Sequence, residues 1–258
     1  MHSFDTKRTL ELIWVRASLN LRSEASVNYL SYAWWIIEPL MHMAVYYTVF
    51  AFLLNGGADN FVAFLLTGLI PWLWFSKTVS HAMNSVLNGK QLMNQLHIPK
   101  IIFPLTCITQ DLVKQGIVFF ILLLFLLFYG LSPSLNWFSL LPIIAIQFVF
   151  ILGVSLICAL LVPFIRDMSF VIPTGLQFLM FCSGIFFSYK DIPLAAQEYF
   201  FINPMAALLS SYRMVLIDGI APSWALLSYV LGIGVILTLL SLWLYRKLEY
   251  ILPRVVLE

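Results

Sequence analysis

Long apolar runs without a charged residue dominate the chain. The longest extends from Gln115 to Ile165, and it is too long for a single membrane-crossing helix, which needs about 20 residues. Gly130 and Pro133 interrupt this run and divide it into two helices. The pattern as a whole predicts six transmembrane helices, at residues 33–54, 61–84, 103–129, 138–163, 168–188 and 223–245.

Residues 6–22, before the first apolar run, follow a helical pattern with two faces. Charged and polar residues fall largely on one face, and the other face carries Leu10, Ile13, Trp14, Ala17 and Leu21. This segregation predicts an amphipathic helix that lies in the membrane interface. A simple anchor that sets the orientation of the chain is the alternative interpretation.

The segment 189–222 contains apolar pieces that are too short to cross a membrane. Asn203 can cap a helix whose first residue is Pro204, so two short helices that meet at Asn203 are predicted. Irregular backbone at membrane depth is tolerated only against protein or a water-filled cavity. The segment therefore predicts a re-entrant helical hairpin that forms an external gate, with a loop on the membrane surface as the alternative.

The composition agrees with a membrane protein and gives its orientation. Apolar residues make up 62% and charged residues 10% of the chain, whereas about a quarter of a soluble domain is charged. The net charge of +2 gives no argument for a nucleic-acid partner. Ten Lys and Arg residues lie on the side of the termini and two on the other side, which predicts that both termini are cytoplasmic.

Charged residues inside the predicted helices are expected to share one layer. They occur in pairs one helical turn apart on the first three helices: Glu38 with His42, Lys77 with His81, and Asp111 with Lys114. A charge at the centre of a membrane costs at least about 2.5–3.5 kcal/mol, so such residues face partners or water. A polar cytoplasmic vestibule and a structural layer of ion pairs both fit this pattern.

A second charged pair lies between two uncharged runs. Arg166 and Asp167 separate the fourth and fifth predicted helices and predict a tight cytoplasmic turn. An anion at Asp167 is favoured at the start of the fifth helix by the helix dipole. Arg166 is then free to bind a carboxylate, a backbone carbonyl or a lipid phosphate with both arms of its guanidinium group.

No motif in the sequence predicts catalysis or metal binding. The patterns GxxxxGK[ST], HExxH, GxSxG and DxD are all missing. A membrane-bound glycosyl- or acyltransferase would show a cluster of catalytic His or Asp residues, whereas His42, His81 and His97 are scattered. If ATP drives transport, its hydrolysis is expected in another chain.

Three stretches of the sequence form an ordered set of motifs. They are YLSYAWWIIEPL (29–40), Arg166-Asp167, and CSGIFFSYKDIP (182–193), which is followed by Asn203-Pro204 and Tyr212-Arg213. Together they resemble the membrane subunit of the ABC-2 permease family, in the branch that exports O-antigen, capsule and teichoic acid. The first stretch is similar to the family's LG-x-x-W-x-x-x-x-P, and the second to its RD dipeptide. The third resembles SPIFY…P, with Gly184 in place of the usual Pro, and Asn203-Pro204 and Tyr212-Arg213 stand at the family's NP…YR positions.

The resemblance covers essentially the whole chain and implies one domain, 1–258, in a bacterial inner membrane. It implies a homodimer with two ATPase chains that exports a lipid-linked glycan, with O-antigen as the preferred substrate. Teichoic acid, capsule, lipid or drug export is the alternative. The chain itself would carry no cofactor, since the ATPase would bind ATP and magnesium.

The resemblance also implies roles for individual residues. The loop 85–100 would be the cytoplasmic coupling loop to the ATPase. Its contact residues would be Lys90, Gln91, Gln95, His97 and Lys100, joined by Ile13 and Trp14 of the interface helix. The external gate would contain Asn203, Pro204, Tyr212 and Arg213.

Aromatic residues make up 16% of the chain and suit a neutral polysaccharide. Tyr46, Tyr47 and Phe178 fall near the centres of predicted helices, where aromatic rings would line a pathway for sugar rings. Aromatic residues also anchor membrane proteins at the interfaces, and that is the alternative interpretation for the other aromatic residues.

Overall fold

The computed structural model describes residues 6–27, 31–49, 60–95 and 98–257. Over these ranges the chain is helical and contains no β-strand. In chain order the helices are α1 Thr6–Val27, α2 Ser31–Tyr47, α3 Phe61–Met83, α4 Ser85–Asn88, α5 Lys90–Gln95, α6 Ile102–Phe128, α7 Leu140–Phe164, α8 Met168–Cys182, α9 Leu194–Phe200, α10 Pro204–Leu216, α11 Trp224–Leu248 and α12 Leu252–Leu257. Short 3₁₀ turns cover Leu135–Ser139 and Tyr189–Asp191.

Four helical segments of the described chain are long and apolar enough to cross a membrane. They are α3, α6, α11 and Leu135–Phe164, which joins a 3₁₀ turn to α7. Their bounds lie within a few residues of the predicted spans 61–84, 103–129, 138–163 and 223–245. The helical periodicity and the apolar length of a segment are local properties, which is why these bounds follow from the sequence.

The other two predicted spans differ from the observed helices. The predicted span 168–188 ends too late, because α8 stops at Cys182 and the chain turns at Gly184, whose φ is 73°. With 15 residues, α8 is only about 22 Å long. The predicted span 33–54 corresponds to α2 (Ser31–Tyr47), and its last residues, 50–54, lie outside the described ranges.

Helix α3 lies at the centre of the bundle. It packs against α2, α6, α7, α8 and α10, and most of its residues are buried, including Trp72 and Trp74. The surrounding helices cover α3 on most sides, so α3 forms the core of the bundle rather than a lipid-facing surface. Gln147 of α7 ties two of these helices together, because its side-chain amide donates to the carbonyl of Pro71, at 2.8 Å.

Helices α7 and α11 approach each other closely through two glycines. A Cβ atom added at Gly153 would lie 2.9 Å from the carbonyl oxygen of Gly234, and one added at Gly234 would lie 2.9 Å from the Cα of Phe150. Small residues permit this backbone contact, as is common between membrane helices. The pair α7–α11 therefore forms one closely packed side of the bundle.

Helix α1 extends beyond the predicted segment 6–22 and uses a narrower face than predicted. It continues to Val27 and packs against α6 and α2. Ile13 and Ala17 are buried, whereas Leu10 and Trp14 are 62% and 59% exposed. Only the middle of the predicted apolar face therefore packs against the bundle, because Leu10 and Trp14 at its edges point away from the other helices.

The segment 189–222 folds as predicted around Asn203. The side chain of Asn203 accepts a hydrogen bond from the backbone N–H of Met205 at 3.0 Å, and Pro204 is the first residue of α10. Helix α10 is largely buried against α3, α7 and α11. This half of the segment therefore lies within the bundle rather than on its surface.

Two ends of the bundle can be distinguished. We call the end that carries α5 and α12 the terminal end, and the end at which α3 begins the opposite end. At the terminal end, α12 packs against α5 and α7 and buries Leu252 and Val256 in one cluster with Val86 of α4. The sequence pattern did not predict this C-terminal contact.

Candidate functional site

An ion pair and a histidine–carboxylate contact connect three helices near the terminal end. Lys77 of α3 and Glu38 of α2 form the first pair, with 2.6 Å between Nζ and Oε2. His81, one turn further along α3, lies with its Nδ1 3.0 Å from Oδ2 of Asp111 on α6. The structure thus brings four of the six residues of the predicted intramembrane layer into direct contact.

Lys114 extends this layer to α1. Its Nζ lies 2.6 Å from Oε2 of Glu24 and 4.0 Å from Oδ1 of Asp111. It also lies 5.6 Å from the centre of the Trp35 ring. The predicted interface helix, 6–22, does not include Glu24, although no helix breaker follows residue 22.

A cavity of about 360 Å³ opens between α1, α2, α3 and α6 at this layer. Three carboxylates (Glu24, Glu38 and Asp111) face two lysines and His81, so positive and negative charges nearly balance. Trp34 and Trp35 form part of the wall. Within the described ranges, no three His, Cys, Asp or Glu side chains are placed to hold a metal ion.

Two buried polar groups face the same cavity. Gln115 is 8% exposed and Thr78 is fully buried, and both line the cavity wall. In the described part of the chain, the amide nitrogen of Gln115 and the hydroxyl of Thr78 have no hydrogen-bond partner. His42, the last residue of the predicted layer, stacks on Tyr46 with 6.1 Å between ring centres.

A buried arginine organises the opposite end. Arg213 of α10 donates to the carbonyls of Gly184 and Ile185 at 2.6 and 2.9 Å, and to the carbonyl of Phe64 at 3.2 Å. Its guanidinium carbon lies 3.5 Å from the centre of the Phe64 ring. One side chain thereby joins α10, the start of α3 and the loop after α8. The remaining room is small, because a Cβ atom at Gly68 would meet Nη2 of Arg213 at 2.5 Å.

The backbone at Gly184 explains a departure from the family pattern. Its φ is 73°, which glycine adopts readily and which proline cannot adopt because its ring holds φ near −65°. A Cβ atom there would also lie 2.7 Å from the ring of Phe200. The turn directs the carbonyl of Gly184 towards Arg213, so glycine at this position is part of the arginine site.

Tyr212 forms a second polar connection beside Arg213. Its hydroxyl donates to the side-chain oxygen of Gln147 at 2.7 Å, and Gln147 in turn donates to Pro71. Tyr212 is completely buried, and a buried hydroxyl is stable only with such a partner. The predicted gate residues Tyr212 and Arg213 therefore hold α10 to α7 and α3, respectively.

The three predicted pathway aromatics do not meet within one chain. The ring of Tyr46 packs edge-on against Phe186, with 4.8 Å between centres, and its hydroxyl lies 3.6 Å from the sulfur of Met180. Tyr47 and Phe178 are exposed on α2 and α8. A pathway lined by all three residues would therefore have to include another protein surface besides that of a single chain.

The residues predicted to contact an ATPase differ in their accessibility. Lys90, Gln91 and Gln95 lie exposed on α5, whereas His97 lies outside the described residues. Lys100 is only 5% exposed and its ammonium group donates to the carbonyl of Ile98. Lys100 therefore has no free surface for a partner, because its charge is turned back onto its own loop.

The two residues of the interface helix also differ. Ile13 is buried against the bundle and Trp14 points outwards.

The predicted cytoplasmic turn is present in the structure as a turn before α8. Its two charged residues, Arg166 and Asp167, are both exposed. Among the described residues, neither of these two side chains makes an ion pair or a hydrogen bond. Asp167 is the residue before the first turn of α8, and it makes no capping hydrogen bond.

Residues 11–217 match the family model described as ABC-2 type transporter. The chain belongs to this family. A curated relative from Klebsiella pneumoniae, named O-antigen export system permease protein RfbA, is 29% identical over 93% of both chains. A relative of the same name from Myxococcus xanthus is 24% identical over 89% of this chain and 88% of its own length. The polysialic acid transport protein KpsM of Escherichia coli is 24% identical over 94% of both chains.

Proposed function

We propose that the chain is the membrane-spanning permease subunit of an ATP-driven exporter that moves a lipid-linked O-antigen polysaccharide across a bacterial inner membrane. The observation that carries this proposal is the similarity to O-antigen export permeases along nearly the whole chain. The chain is a transport subunit of the ABC-2 family, and a separate subunit binds ATP with magnesium and hydrolyses it. The exposed α5 and Trp14 form the docking surface for that subunit.

The permease acts as a homodimer with two ATPase subunits. The exposed face of α8 supports this stoichiometry, since Phe170 and Phe178 are 78% and 69% exposed there. Thr174 and Gln177 are exposed on the same helix. A polar amide that faces lipid is unfavourable, so this face lies against a second copy or along the polysaccharide pathway. Tyr47 and Phe178 then reach the pathway from both copies.

In this exporter the chain crosses the membrane six times, with α2 and α8 as the first and fifth spans. Both termini lie in the cytoplasm, as the distribution of Lys and Arg indicates. The terminal end of the bundle is then cytoplasmic and the opposite end is external. Helices α9 and α10 form the re-entrant hairpin of the external gate.

The charge balance of the cytoplasmic cavity favours an uncharged polysaccharide. Both lysines of the layer are paired with carboxylates, so neither is free for a polyanion. An anionic capsule polysaccharide is the second candidate, because two relatives at 24% identity are named polysialic acid transport proteins.

The test is deletion of the gene in its native host, followed by complementation with the wild-type chain. Without the permease, we expect surface polysaccharide to disappear and lipid-linked glycan to accumulate in the inner membrane. Both effects should also follow from an ATPase partner that cannot hydrolyse ATP. Unchanged surface polysaccharide after deletion would contradict the proposal, and the sugar composition decides between the two candidates.

A further inference from the structure

A second cavity lies at the opposite end of α3, beside the arginine site. It has a volume of about 310 Å³ and is bordered by Phe61 and Phe64 in the first turn of α3. Lys77 and His81 of the ion-pair layer lie near the other end of the same helix. At 1.5 Å per residue, Phe61 and Phe64 lie about 20–30 Å from Lys77 and His81 along the helix, which is most of the thickness of a bilayer core.

Six aromatic side chains line this cavity. The rings come from α3, from the loop after α8 and from α9: Phe61, Phe64, Phe186, Phe187, Tyr189 and Phe200. Several of these rings support one another, since Phe187 packs against Phe200 with 5.9 Å between centres and Tyr189 packs against Phe201 at 5.5 Å. The wall therefore presents several apolar surfaces in fixed positions.

A buried hydroxyl group points to a polar occupant. Ser210 of α10 lines the cavity and is 6% exposed, and its hydroxyl has no hydrogen-bond partner in the described part of the chain. A buried hydroxyl without a partner costs free energy, and a bound hydroxyl group would supply the missing partner. Ser211, the next residue, is also buried but donates to the carbonyl of Ala207 at 2.8 Å.

The charges around this cavity cancel. Arg213 and Lys190 are opposed by Asp191 and Asp218, and three backbone carbonyls already occupy the guanidinium group of Arg213. An anionic ligand would find no free arginine here. A lipid acyl chain would leave the hydroxyl of Ser210 without a partner, which disfavours a purely apolar occupant.

We propose that this cavity binds one uncharged sugar unit of the polysaccharide at the external end of each permease chain. The C–H faces of a sugar ring pack on aromatic rings, and its hydroxyl groups can exchange hydrogen bonds with Ser210 and the two carboxylates. The site deepens the proposed export function and rests on it. Because the cavity lies within one chain, each copy of the permease carries its own site.

Binding to the full-length permease in lipid nanodiscs, together with its ATPase, tests the site. The probes are oligosaccharides released by mild acid from the surface polysaccharide of the host, and free sialic acid, a single charged sugar, serves as the comparator. Saturation-transfer NMR should detect transfer from aromatic protons to the oligosaccharides and none to sialic acid. Ser210→Ala should weaken the affinity about two- to tenfold, as loss of one hydrogen bond predicts, and Tyr189→Leu should weaken it as well.

The matched control is Ser211→Ala, which removes a neighbouring buried hydroxyl that does not line the cavity. We expect it to bind the oligosaccharides like the wild type. Ser210→Ala removes no hydrogen bond of the free protein, so its thermal stability should be maintained. A loss of affinity in that variant is then an effect on the ligand and not on the fold.

The proposal is overturned if the oligosaccharides do not bind, if Ser210→Ala and Tyr189→Leu bind them like the wild type, or if free sialic acid binds more tightly. The amount of surface polysaccharide in complemented cells distinguishes failure of the binding site from failure of the proposed export function. Normal surface polysaccharide without oligosaccharide binding would reject the cavity alone. If the wild-type chain restores no surface polysaccharide, the export function itself is wrong.

Discussion

Replacement of Arg213 by lysine tests the arginine site at the opposite end of the bundle. Lysine keeps the positive charge, but it offers a single ammonium group in place of a planar fork. The fork now reaches carbonyls of Phe64, Gly184 and Ile185. One ammonium group cannot reach carbonyls on both sides of the fork, so at least two of these hydrogen bonds are lost.

The expected loss of stability follows from those hydrogen bonds. A hydrogen bond to a charged group contributes about 1.5–3 kcal/mol, so two lost bonds cost at least about 3 kcal/mol. For a chain of this size that corresponds to a fall in melting temperature of about 6–12 °C. Loss of the contact with Phe64 adds to this effect, since lysine binds an aromatic face without the stacking that a guanidinium group provides.

The assay is thermal unfolding of the purified permease in detergent, followed by tryptophan fluorescence. Arg246→Lys is the matched control, because Arg246 lies exposed in the last turn of α11 and such a change should alter stability by less than about 0.5 kcal/mol. Surface polysaccharide in cells gives the functional result, which we expect to fall for Arg213→Lys alone. If Arg213→Lys unfolds at the same temperature as the wild type, the three carbonyl contacts do not hold this end together.

Three further predictions concern the terminal end. Lys77→Glu places a second carboxylate opposite Glu38 and should abolish surface polysaccharide. Adding Glu38→Lys restores the opposite charges and should restore surface polysaccharide. If the double variant does not recover, this ion pair does not hold the layer together. Lys90→Glu on α5 should reduce the amount of ATPase that co-purifies, and replacement of 88–97 should reduce it further; unchanged co-purification in both would exclude this docking surface. Arg166→Lys keeps the charge and the topology but loses the fork, so export should fall while membrane insertion and ATPase binding stay normal. Full export by that variant would leave Arg166 with a role in topology only.

The sequence by itself determined the features that depend on neighbouring residues. The bounds of α3, α6, α7 and α11 follow from apolar length and charge-free runs. The start of α10 follows from Asn203, because a side chain that caps a helix acts within three residues of its own position. The proposal of six spans also rests on such local signals, together with the distribution of Lys and Arg.

The sequence indicated which charged residues lie at the same depth, but not which of them pair with each other. The spacing indicated that Glu38, Lys77 and Asp111 share one layer, because depth follows from position along each helix. It did not indicate that Lys77 selects Glu38 while His81 selects Asp111. Helix rotation and the angles between helices make that choice, and both depend on how the whole bundle packs.

Only the tertiary structure decided the contacts between distant parts of the chain. Arg213 binds the carbonyl of Phe64, 149 residues away, and Lys114 binds Glu24, 90 residues away. Carbonyl groups are present at every residue, so no pattern in the sequence distinguishes the ones that Arg213 uses. The fold selects them, because a buried guanidinium group must find acceptors wherever packing brings free carbonyls within reach.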